Sequence, residues 1–151
     1  MSYDLQAAAA RPAVIAAVRA RLAGSRAVEL PHGLAMIPMT VSLSPTGTAV
    51  PPFEALGSAL ADLFESASGA GPVAYFEIDE QLDMTWQAAM VWSAGKVIMP
   101  ARVVRPGEAR PSDGGPVFEA FRRLGAAVEP AGADFDVFGL YRFKHTHQWL
   151  G

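Results

Sequence analysis

The 151-residue chain has no cysteine, no asparagine, two lysines and three histidines. Without cysteine there is no disulfide scaffold, thiolate zinc site, iron–sulfur cluster or cysteine nucleophile. The phosphate-binding patterns G-x-x-x-x-G-K-[ST] and G-x-G-x-x-G are missing, and so is the G-x-S-x-G nucleophile elbow. The segment SGAGP (68–72) precedes an expected strand instead of opening a helix, and Gly57-Ser58 falls in an expected amphipathic helix. No stretch approaches the ~18 uninterrupted apolar residues of a membrane span. The opening residues show no basic n-region, and Arg11, Arg19 and Arg21 break their apolar run, so they are not expected to act as a signal peptide. A cytoplasmic location is expected. Positive charge is not in excess either: twelve basic against fifteen acidic residues leave −3. That balance, with no basic stripe interleaved with aromatics, argues against nucleic acid as a partner.

What is present is a globular composition, 51% apolar and 18% charged, with 28 alanines and 14 glycines. A chain of this length buries roughly 68–70% of its unfolded surface, enough for an ordinary core. Val14, Ile15, Val18 and Leu22 recur at helical spacing, predicting a helix over 12–23 with Pro12 in its first turn. Ala7–Ala10 read as a separate, frayed turn before it. Short strands are expected at 27–30 and 34–40 around Pro31-His32-Gly33, followed by a loop over 44–52. Phe53, Leu56, Leu60, Leu63 and Phe64 share one face of an expected helix over 53–66.

Three strands are expected in succession at 73–78, 84–92 and 97–104, the last two joined by the tight turn Ser93-Ala94-Gly95-Lys96. Links this short make an antiparallel meander, since parallel strands need long crossovers. A loop over 105–116 leads to a third helix at 116–124. The aromatic tail from residue 131 (Phe135, Phe138, Tyr141, Phe143, Trp149) is too apolar to dangle and is expected to pack on the body. The sum is one α+β domain: an antiparallel sheet of about five strands with about three helices mainly on one face.

Three groups of residues invite a functional reading. Glu77, Asp79, Glu80 and Asp83 cluster in EIDEQLD, where an acidic rim would dock a basic partner. Beside it, Met84, Trp86, Ala88, Met90 and Trp92 fall on one face of a strand, a stripe that suits a core and, at the hairpin end, a protein interface. His145 and His147, spaced two apart like Asp134 and Asp136, are donors of the type that bind zinc or non-haem iron.

Two stretches, Gly71–Met99 around QAAMVWSAGKVIM and the ending FDVFGLYRFKHTHQWL, resemble small bacterial proteins of polymorphic-toxin loci. Such proteins are read as immunity proteins. The resemblance implies a non-enzymatic inhibitor that binds and occludes a toxin effector, without cofactor and without catalytic residues. The contact surface expected on the residues themselves combines Glu77, Asp79, Glu80 and Asp83 with Trp92. Two other uses compete with it: a small metal-dependent enzyme built on His145, His147, Asp134 and Asp136, and a homo-oligomer, such as a homodimer, formed through the sheet.

Overall fold

A computed structural model describes residues 2–40, 48–82, 84–126 and 128–150. Its centre is a six-stranded antiparallel sheet in the order β2-β3-β1-β4-β5-β6, formed by β1 (Ser2–Ala10), β2 (Val28–Leu30), β3 (Leu34–Pro38), β4 (Val73–Gln81), β5 (Met84–Ser93) and β6 (Lys96–Val104). Three helices accompany it: α1 (Pro12–Ala20), α2 (Ser58–Ala67) and α3 (Pro116–Arg123). The α+β class and the meander over β4–β6 agree with the pattern read from the sequence. Ala94 (φ 52°) and Gly95 (φ 76°) both take the left-handed conformation, which matches the twist of a tight hairpin between β5 and β6.

The sixth strand is the one the sequence hides. Ala7–Ala10 are not a frayed turn but half of β1, hydrogen-bonded between β3 and β4 in the middle of the sheet. Alanine prefers helices, yet all four of these alanines are fully buried. Ala7 and Ala9 point to one side of the sheet and Ala8 and Ala10 to the other. Covering on both faces overrides the local preference.

The helices also divide differently from the expectation. α1 and α2 pack on one face, over Ala8, Tyr75, Ala88 and Trp92. α3 and the aromatic tail cover the other, where Phe121 stacks on Phe138 at 4.2 Å and meets Phe76 edge-on. The sheet is therefore an inner layer with a core on each side. That is why β5 carries apolar residues on both faces, Trp92 towards α2 and Val91 towards α3.

α2 starts at Ser58 rather than at residue 53. Phe53 and Leu56 are buried as their spacing predicts, but the backbone N–H groups of Glu54 and Ala55 donate to the Glu77 carboxylate at 2.8 and 2.9 Å. Gly57 is extended (φ −96°, ψ 164°) and bridges to Ala49, which keeps 53–57 out of the helix. α3 follows its pattern closely, with Pro116 in the first turn and Gly125 (φ 100°) just past the end. β3 is shorter than β1, leaving the edge of β1 open near its start. The tail fills that place: Asp4 N–H donates to the Lys144 carbonyl (2.8 Å) and Gln6 N–H to the Thr146 hydroxyl (3.1 Å). The outer strand β6 carries Pro100, which cannot donate a ladder hydrogen bond and so blunts that edge against another strand.

Candidate functional site

β4 carries the acidic cluster, and its geometry separates the members. Successive strand residues point to opposite faces. Glu77 thus joins Tyr75 on the α2 side, while Glu80 joins Tyr141 on the α3 side. Glu77 is 1% exposed, and its carboxylate accepts from the Tyr75 hydroxyl as well as from the two N–H groups before α2. Trp92 is likewise 1% exposed and packs against Phe64 at 5.6 Å. These two corrections to the expected contact surface share a cause, since the α1/α2 layer covers the half of the sheet on which both residues stand. Asp79 is half-buried beside Gln81. Asp83 lies outside the described residues.

Glu80 is different. Its carboxylate accepts one hydrogen bond from Tyr141 (2.6 Å) and one from Thr85 (3.1 Å), across the register that pairs Glu80 with Thr85. It stands in a cleft of about 510 Å³, bounded by β5, the end of β6, the 105–110 loop, the start of α3 and the tail. Phe118, Phe135, Val104 and Met84 give it apolar walls. Charge in the lining comes from Glu80, Glu108, Asp134 and one base, Arg110. The Arg110 guanidinium lies over the Phe118 ring at 5.0 Å, a cation–π arrangement. Gln87 lines the inner end. Volume and lining match small-molecule sites, which run ~300–1,000 Å³ and combine apolar walls with a few fixed polar groups.

Burial and the bond to Glu80 push the Tyr141 phenol well above its usual range, so its proton stays on the ring and the carboxylate receives it. Tyr3, edge-on to Tyr141 at 5.0 Å, donates to the Leu140 carbonyl, and its phenol is also raised, chiefly by burial. These contacts fix the tail as the outer wall of the cleft.

The turn between the cleft residues Glu80 and Met84 is unusual. Leu82, in the turn between β4 and β5, is 87% exposed and holds φ 56°. A left-handed leucine costs roughly 1–2 kcal/mol, and such outliers concentrate where a fold serves a function. Met84, two residues on, lines the cleft and is 56% exposed.

The histidines and aspartates do not form a metal centre. His145 pairs through Nδ1 with Asp4, a residue 141 positions away, and its ring stacks parallel to that of His147 at 5.9 Å. Asp134 caps the short 3-10 turn Phe135–Phe138, accepting from Asp136 N–H at 2.9 Å. Among the described residues no three His, Asp or Glu side chains converge as metal ligands, because Asp4 and the turn engage these donors separately.

Sequence reading singled out Glu80 but missed its partners. Tyr141 lies 61 positions away, and Arg110, Phe118 and Gln87 come from three further elements. One sign was available: Gln87 is a polar residue between Trp86 and the apolar run Ala88–Trp92. Among the described residues no helix is long and apolar enough to cross a membrane. No protein-family model matches the chain, and neither a curated protein nor a solved structure is significantly similar to it.

Proposed function

We propose that this chain is a non-catalytic, cytoplasmic protein-binding module of the immunity type, which occludes a toxin effector by docking through the open end of the sheet. The observation that carries this reading is Leu82, a large apolar side chain held in strained backbone and 87% exposed. Met84 adds a second exposed apolar side chain two residues on, Glu80 and Glu108 line the cleft that Met84 enters, and Asp79 stands on the opposite face of the same strand end. Exposed apolar anchors rimmed by charge are the usual anatomy of a docking site, with the charges favouring a basic partner and a fast approach. The sequence resemblance of residues 71–150 supports the same class, and the mechanism it implies is steric.

Growth rescue tests the proposal. Each protein encoded next to this chain's gene is expressed alone and together with the chain. One of them is expected to arrest growth, and co-expression to restore it. Leu82→Glu is expected to abolish rescue and Asp79→Lys to weaken it, both with unchanged circular dichroism. The reading fails if no neighbouring product arrests growth, or if rescue is undiminished in both variants.

A further inference from the structure

The floor of the cleft holds a polar group that the fold leaves unused. Gln87 is 4% exposed, and its Oε1 accepts from Val117 N–H at 3.1 Å, at the start of α3. That bond fixes which end of the amide is which. Nε2 donates to no described residue and is not among the buried atoms left without a partner, so on a side chain that lines the cleft it opens to the cleft space. Gly115 (φ 95°) makes room for it, since a Cβ there would stand 2.7 Å from Nε2. A donor in such a position is suited to an acceptor that arrives from outside.

The charge at the other end is of the opposite kind. Glu80, next to Thr85, carries one donor on each carboxylate oxygen and so retains free lone pairs. Glu108 and Asp134 add two carboxylates, against one base in the lining, Arg110, which lies over the Phe118 ring and reaches the Pro130 carbonyl (3.4 Å). Thr85 and Gln87 are two residues apart on one strand, which sets the two ends about 7 Å apart with apolar wall between. We propose that this cleft binds a small organic cation carrying a carbonyl or amide acceptor at one end of a short apolar stem and a guanidinium or ammonium group at the other. The acceptor meets Gln87 Nε2, the stem lies against Phe118 and Val104, and the cation faces Glu80 and its acidic neighbours. The site shares Glu80 and Glu108 with the proposed docking surface but is read out at Gln87, so its test stands apart from docking through Leu82.

The test uses the full chain labelled with 15N and the probe Nα-acetyl-L-arginine methylamide, followed by NMR. Two controls each lack one feature: the citrulline counterpart is neutral, and n-butylguanidinium has no carbonyl. Saturable shifts of the Gln87 side-chain NH2 pair and of the Gly107–Arg110 amides are expected, with each control at least tenfold weaker. Glu80→Gln should weaken the probe about tenfold. Glu108→Gln, on the exposed loop, should weaken it severalfold without touching the interior. Absence of a saturable shift at Gln87 overturns the site. Equal binding of the citrulline counterpart, or affinity unchanged in both variants, overturns its assignment to cations.

Discussion

Glu77 and Glu80 are the same residue type, three positions apart on one strand, and the fold puts them to opposite uses. Glu77 faces the α1/α2 layer and is closed in by two backbone N–H groups and the Tyr75 hydroxyl. Glu80 faces the α3 and tail layer with two hydroxyl donors, at the wall of an open cleft. The difference lies in what surrounds them. One layer brings chain that needs an acceptor, so the carboxylate becomes a fastening for the segment before α2. The other brings a tyrosine and leaves space. Chemical identity and position in sequence say little about whether an acidic residue is available to a ligand; the supply of donors and the reach of the covering layer decide it.

Breaking the comparison starts at Glu77. Glu77→Ala takes the acceptor from the buried Tyr75 hydroxyl and from two half-buried N–H groups, at roughly 1–3 kcal/mol each before water reaches the latter, so a loss of about 2–4 kcal/mol is expected in urea unfolding. Glu80→Ala should cost only about 1 kcal/mol, since Tyr141 and Thr85 can turn to water at the cleft. Equal losses in the two variants would erase the distinction.

The contrast was half legible in the sequence. The hairpin β5–β6 was readable because Ala94-Gly95 sits between strands with regular apolar content. β1 was not, because four consecutive alanines show no alternation and their intrinsic preference runs the other way. With β1 unseen, the sheet lacked its middle, and nothing indicated that it had two covered faces. Trp92 therefore looked available when it is core. Tyr141 could be recognised as part of an apolar tail, yet its bond to Glu80 depends on that tail crossing the sheet, which no local spacing encodes.

The far end of β4 offers a smaller test. Leu82→Gly relieves a left-handed leucine (roughly 1–2 kcal/mol) while adding unfolded-state freedom (roughly 0.5–1 kcal/mol), so a net stabilisation of about 0.5–1 kcal/mol is expected. If Leu82 is retained for docking, the same variant melts higher and protects less. A variant that melts lower would show that the leucine supports the turn.

The smallest effect belongs to the surface around α3. Asp113 accepts two bonds from Arg102 (2.7 and 3.0 Å) and one from Gly115 N–H (3.0 Å). The Arg102 hydrogen bonds chiefly hold its carboxyl down at about 2, from an ordinary 3.8. A carboxyl depressed in the folded state contributes stability that is present above its unfolded pKa and lost as pH falls towards the folded one. Asp113→Asn should therefore flatten the fall in stability between about pH 4 and 2. At 41% side-chain exposure the contribution is screened to about 1 kcal/mol or less. Acid titrations of the two proteins monitored by circular dichroism would show it.

The tail beside β1 has a consequence for the order of assembly. β1 precedes the other strands of this sheet in the chain, but its neighbours are β3, then β4 some seventy residues later, and finally the carbonyl of Lys144 and the hydroxyl of Thr146. The earliest strand of the sheet is thus the last to be fully paired. Contacts so distant in sequence make loop closure costly and folding slow. Until residues 144–146 have joined, the Asp4–Gln6 edge of β1 stays open beside its paired alanines, so the step most exposed to misassembly comes after the rest of the sheet has formed.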